Sequence, residues 1–231
     1  MTRRWTPVFA ASDYGPEQIA LRYKAYTRSG TEGFVAAYRD ILTHAGPAFG
    51  EVGRWLASEE ATEGQGCVFH CTAGKDRTGL LAALLLLLAG VENEAVAEEY
   101  ALTDVGLASL REGFVERLMR HPSLNGDEVG VRNMVSSKRE NMLASLEMLE
   151  QEFGGCEVYL TERCGLTEEE LARLRDRLRG SKGLLGCIDC VASEKISPLR
   201  SIDAKWHRSW NALLDLHGSG AGDRRIDHPI R

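Results

Sequence analysis

The chain reads as an α/β fold, a small parallel sheet surrounded by many helices, and three observations predict it. Residues 67–69, Cys-Val-Phe, form a short apolar run bounded upstream by Gly64 and Gly66, the pattern of a buried strand. Residues 80–88 are almost wholly Leu and Ala, strong helix formers that leave no polar face. Between them lies the polar run His70-Cys71-Thr72-Ala73-Gly74-Lys75-Asp76-Arg77-Thr78-Gly79. A strand, a glycine-containing loop and a helix N-terminus in that order make backbone N–H groups converge where an anion can sit.

The remaining elements follow in chain order. Residues 6–9 read as a short strand, and Pro16 fits the first turn of a helix over 17–27. A second helix starts after Thr31, with Phe34, Val35, Tyr38, Ile41 and Leu42 at 3–4 spacing. Gly46-Pro47 is expected to break it, and a third helix to run through Phe49, Val52, Trp55 and Leu56 toward the strand. Gly90 stands where the loop helix would take its C-cap. Asn93 suits the N-cap of a helix reaching Leu102, and Asp104 that of the next, through Leu107, Leu110, Phe114 and Leu118 to His121-Pro122. Residues 123–132 are polar and read as a loop.

Ser137-Lys138-Arg139-Glu140 has capping-box form and opens a helix with Met142, Leu146, Leu149 and Phe153 on one face. A short helix over 158–164 follows. Thr167 and Glu170 form a second capping box before Leu171, Leu174 and Leu178. Past Arg179 the pattern changes at Gly180, Ser181 and Gly183. Residues 1–179 are thus expected to form one domain and 180–231 a C-terminal appendage, partly disordered, with Trp206, Trp210, Leu213 and Leu214 on one helical face.

The polar run suits the capture of a phosphate dianion by a thiolate. A helix N-terminus and Arg77 lower the pKa of the Cys71 thiol, making it a nucleophile at neutral pH. Arg77 presents a planar fork that matches two phosphate oxygens. Thr72, Ala73, Gly74, Lys75 and Asp76 supply the loop between them, and Gly74 lets it curl with its N–H groups inward. Thr78 is expected to cap the helix and to offer its hydroxyl to the Cys71 sulfur, and Gly79 to let the helix pack close behind the loop. His70 reads as a buried histidine bonding the loop backbone, with proton transfer as the other role.

Composition bounds the partners. A net charge of −6 argues against nucleic acid and against a polybasic membrane anchor. Residues 80–90 are about half of the roughly 20 apolar residues that a membrane span needs, so no transmembrane segment is expected. Two N-terminal arginines precede no apolar stretch of secretory length, which makes the cytoplasm the expected location. Six cysteines at irregular spacing suggest no disulfide framework. Cys187-Ile188-Asp189-Cys190 lacks a second pair or spaced histidines, so neither metal nor cofactor is expected.

Residues 70–79 resemble the signature loop of the Cys-x5-Arg protein tyrosine phosphatase superfamily. The variant Gly74-Lys75-Asp76-Arg77-Thr78-Gly79 is most similar to the branch containing the mycobacterial tyrosine/lipid phosphatase B and its fungal relatives. Weaker similarity extends over about 7–178, including Glu99-Tyr100-Ala101-Leu102-Thr103-Asp104, Tyr159-Leu160 and Gly165-Leu166-Thr167. The resemblance implies a protein-tyrosine-phosphatase-like fold and metal-free hydrolysis of phosphomonoesters through a phosphocysteine. It implies phosphotyrosine proteins or phosphoinositides as substrates, with dual specificity open and Lys75 either meeting a second phosphate or simply raising the local potential for phosphotyrosine. For the general acid it leaves two candidates: Asp76 inside the loop, and Asp13, where the family has a mobile-loop acid. The branch has a longer N-terminal half than this chain, which therefore reads either as a form truncated there or as one whose gap a partner or its own helices cover, its sheet reduced. The alternative is a pseudophosphatase that holds phosphorylated ligands without turnover.

Overall fold

Helix α2, Glu32–Ala57, is the post against which five other elements pack. The computed structural model describes residues 2–10, 16–61 and 67–179, all within one compact unit, Met1–Gly186. Helix α1 (Pro16–Tyr26) lies against α2. So do α3 (Asp76–Ala89), α7 (Arg139–Phe153), α9 (Glu168–Arg179) and a π-helical turn at Tyr159–Arg163. The core between them is built from Phe34, Tyr38, Leu42, Leu84, Leu88 and Leu174, among others, all nearly inaccessible to water.

The expected break at Gly46-Pro47 is absent, and packing explains why. A Cβ at Gly46 would strike the Arg163 carbonyl, one at Gly50 the Cys164 carbonyl, and one at Gly53 would lie 3.1 Å from Leu166 Cδ2. The glycine face of α2 thus admits the backbone of 163–164 and the Leu166 side chain directly. Arg54 Nη1 donates to the Cys164 carbonyl at 3.1 Å and the Tyr159 hydroxyl to the Leu42 carbonyl at 2.7 Å. These contacts carry the helix across a proline that would end it in isolation.

The expected sheet is not seen among the described residues. Residues 6–9 and 67–69 form no strand, and Val68 is 73% exposed. A three-residue apolar run has no stability as a strand unless a neighbour completes its hydrogen-bond ladder, and no described segment pairs with this one. What is described is helical.

Three further boundaries differ. Helix α4 (Asn93–Gly106) runs past Asp104, which is not a cap. Its carboxylate accepts instead from the Ser137 backbone N–H at 2.7 Å and pairs with Arg111 at 3.1 Å. Helix α5 is correspondingly short, Arg111–Met119, after a 3₁₀ turn at Ala108–Leu110. The polar stretch 123–132, expected as a loop, ends in α6 (Glu128–Met134), whose first turn is capped by the Asp127 side chain accepting from Gly130 N–H at 2.9 Å. Helix α8, Gly155–Val158, leads into the π turn.

The expected Ser137–Glu140 capping box does not form, since Lys138 is the N-cap of α7 and makes no side-chain cap bond. Glu92 rather than Asn93 is the N-cap of α4. Three other expectations hold. Pro16 opens α1. The Thr167–Glu170 capping box forms reciprocally, at 2.9 and 3.2 Å. Gly90, at φ +90°, ends α3 with the paired bonds Gly90 N–H to Leu87 and Val91 N–H to Leu86. No helix among the described residues is long and apolar enough to cross a membrane. The expected junction after Arg179, the appendage 180–231 and the Cys187/Cys190 pair lie outside the described residues.

Candidate active site

Helix α3 starts at Asp76, inside the signature run rather than after it, because the Gly79 N–H already closes a turn onto the Lys75 carbonyl at 2.8 Å. Thr78 is therefore a first-turn residue and not the cap. Its hydroxyl accepts the Cys71 backbone N–H at 3.0 Å, drawing the first loop residue back onto the helix start. At the other side, Arg77 Nη2 donates to the Thr72 hydroxyl at 2.8 Å. Gly74, at φ +68°, takes the left-handed conformation that turns the loop over. The run 71–75 is thus tied at both flanks to the positive end of α3.

Those ties decide the state of Cys71. Burial pushes its thiol pKa up. The Arg77 charge and hydrogen bonds from the Thr78 hydroxyl and backbone more than reverse that, so it lies below the usual 9.0, with Asp76 opposing. The other described cysteines go the opposite way, through burial: Cys67 is raised, and Cys156 and Cys164 are pushed up to about 12. Cys71 is the described cysteine with a thiol poised to ionise. A cleft at the far end of α3 is lined by Leu87, Asn93, Leu146, Glu147, Glu150 and Cys156, the last with a raised thiol.

His70 is exposed, not buried as expected, and its Nδ1–H donates to the Cys71 carbonyl at 3.0 Å. Gly79 has a specific neighbour: a Cβ there would meet the Tyr100 ring at 3.0 Å. Asp13 lies outside the described residues.

Lys75 departs furthest from expectation. Instead of facing a second phosphate, its side chain is buried, the residue being 5% exposed. Its ammonium donates to Asp76 Oδ1 at 2.6 Å and to the Ser136 carbonyl at 3.2 Å. It sits 4.9 Å from the centre of the Phe34 ring and 5.5 Å from that of Tyr26. Burial would discharge it, but Asp76 beside it lifts its pKa above 10.5. Asp76 Oδ1 also accepts from the Tyr38 hydroxyl at 3.0 Å, and that hydroxyl is 2.6 Å from the Tyr100 hydroxyl. Burial, with Asp76 nearby, pushes both Tyr38 and Tyr26 well up, so they stay neutral.

Sequence reasoning placed Tyr38 in the core and Tyr100 in a similarity segment without seeing that both reach the loop. The available signal was that a tyrosine in a buried helical stripe must find a partner for its hydroxyl.

A sequence profile of the tyrosine phosphatase family matches residues 1–180. The chain is 34% identical over 148 residues to a tyrosine-protein phosphatase of Nostoc commune, covering 62% of this chain and 48% of that protein. It is 24% identical over 131 residues to the triple specificity protein phosphatase PtpB of Mycobacterium tuberculosis, covering 51% and 45%. The chain spans about half the length of the curated relatives it matches. With a match that covers residues 1–180, the chain belongs to the tyrosine phosphatase family.

Proposed function

We propose that residues 1–179 form a metal-independent phosphatase domain that hydrolyses phosphomonoesters, phosphotyrosine in proteins above all, through a phosphocysteine on Cys71. The lowered thiol of Cys71 beside Arg77, at the start of α3, carries this reading. The thiolate attacks phosphorus while Arg77 holds two non-bridging oxygens. The P–O bond to the leaving group breaks, and that oxygen takes a proton from a carboxylic acid. Water then attacks the phosphocysteine. The P–S bond breaks, the sulfur leaves as thiolate with the Thr78 hydroxyl donating to it, and inorganic phosphate departs.

Asp13 and Asp76 are the candidate acids. Asp76 Oδ1 accepts from both Lys75 and Tyr38, which favours Asp13. Asp13→Asn should slow a phosphotyrosine peptide more than p-nitrophenyl phosphate, whose leaving group needs little help. Equal slowing of both would remove it. The name of the mycobacterial relative supports a range wider than phosphotyrosine, with dual specificity and phosphoinositides as the extension to test.

The deciding assay is phosphate release from phosphotyrosine peptides, phosphoserine peptides and phosphoinositides, with vanadate and chelator controls, beside Cys71→Ser. Release that vanadate blocks, a chelator spares and the serine variant lacks is expected. Vanadate binding without any release would instead mark a module that holds phosphate.

A further inference from the structure

We propose that Lys75 and Asp76 act as an internal counter-ion pair, clamped by Tyr38 and Tyr100, which fastens the nucleophile loop to the helix bundle and neutralises Asp76 behind Cys71. The inference rests on Cys71 being the nucleophile and goes beyond it by giving these four side chains a positioning role. It also takes Lys75 away from the substrate.

Geometry carries it. Lys75 and Asp76 are adjacent in the chain at the point where loop becomes helix, so whatever holds their side chains holds the loop. Five segments converge there: Tyr26 from α1, Phe34 and Tyr38 from α2, Asp76 from α3, Tyr100 from α4, and the Ser136 carbonyl between α6 and α7. The rings meet edge to face, with centres 5.1 Å apart for Tyr26–Phe34, 5.8 Å for Phe34–Tyr38 and 6.4 Å for Tyr38–Tyr100. They form an apolar box that tolerates an ammonium because its walls are aromatic faces and its floor is a carboxylate. A lysine reaching for substrate would lose this burial.

Electrostatics gives the pair its effect on the nucleophile. The groups around Cys71 are Arg77, Thr78 and Asp76 from its own loop and helix, with Lys75 and Tyr26 coupled to it as well. Around the pair itself stand Tyr26, Tyr38 and Tyr100, which are neutral, and Arg77. Asp76 opposes ionisation of Cys71. Lys75, 2.6 Å from that carboxylate and itself in electrostatic contact with Cys71, carries the charge that opposes its field at the sulfur.

The test titrates Cys71 without substrate, so it does not depend on turnover. The pH dependence of iodoacetamide labelling at Cys71 is read by peptide mass spectrometry in the full chain, with far-ultraviolet circular dichroism as the folding control. Lys75→Met should raise the midpoint by about half a pH unit or more, since Asp76 is then uncompensated. Asp76→Asn should lower it, since the lysine is uncompensated, and the double variant should return close to the parent. If Lys75→Met does not fold, the comparison of Asp76→Asn with the double variant gives the same sign. Midpoints that move the same way in both single variants, or a double variant as displaced as Lys75→Met, would overturn the pair. So would an unchanged titration in Lys75→Met accompanied by selective loss of phosphoinositide hydrolysis, which would put Lys75 on the substrate. An ordinary thiol pKa in the parent chain would count against the phosphatase reading, yet leave the opposite shifts to be read.

Discussion

At Cys71 two groups contributed within seven residues outweigh burial, whereas at Cys156 and Cys164 burial outweighs the opposing charges of Arg175 and Arg54 and lifts the thiols to about 12. Because the Cys71 pKa is lowered, its thiolate persists as pH falls below the usual 9.0, while the other two are protonated throughout the neutral range. Iodoacetamide at pH 7 should therefore label Cys71 at least about tenfold faster than Cys156 or Cys164. Equal labelling would contradict the assignment. Thr78→Val keeps the shape but removes the hydroxyl, and should raise the Cys71 midpoint and lower kcat about tenfold, the worth of one hydrogen bond to a charged group. Arg77→Lys should lower kcat/KM on the order of a hundredfold, because an ammonium cannot make the two-pronged contact.

Cys71, Gly74, Arg77 and Thr78 could be singled out as candidates because they sit in one short run of the sequence. Tyr38 and Tyr100 could not, since their hydroxyls meet only when α2 and α4 pack. The inward turn of Lys75 was hidden for the same reason. A lysine beside a phosphate loop reads as a substrate contact until its aromatic box is assembled.

At the scale of elements, local signals succeeded where one segment decides its own fate. The capping box at Thr167 and Glu170, the proline opening α1 and the glycine closing α3 each satisfy backbone groups within a turn. Signals failed where a distant segment decides. Pro47 does not end α2 because the glycine face beside it is occupied by the backbone of 163–164 and the Leu166 side chain. Asp104 was read as a cap, but its partner is the Ser137 amide, far along the chain.

Gly50→Ala drives a methyl into the Cys164 carbonyl and should destabilise the fold by about 2–3 kcal/mol, measured by urea unfolding. Gly74→Ala meets nothing within 4 Å and should cost only the strain of its left-handed backbone, about 1 kcal/mol. A smaller loss for the first than for the second would show that the glycine face is not a tight contact.

For the molecule as a whole, the described helices were largely foreseeable from apolar periodicity, and the sheet was not borne out among the described residues. A strand is a property of pairs, so residues 67–69 were readable as β-prone but not as paired. The clamp around Lys75 joins α1, α2, α3, α4 and the α6–α7 connection, so its charge state bears on global stability. The folded pKa of Lys75 is raised above 10.5, so the pair's contribution is complete below that value and is lost as pH rises through the folded pKa. The Tm of the parent should thus fall more steeply above about pH 10 than that of the uncharged Lys75→Met/Asp76→Asn variant. Parallel curves would mean that the pair adds nothing to the fold.

The proposed chemistry turns on Cys71 as the nucleophile. Rapid-quench mass spectrometry of the peptide carrying Cys71, taken during turnover of p-nitrophenyl phosphate, examines it directly. A phosphate adduct on Cys71 that rises and decays with product formation is expected, with both adduct and turnover lost in Cys71→Ser. Turnover that persists in the serine variant, with no adduct on Cys71 in the parent, would contradict it.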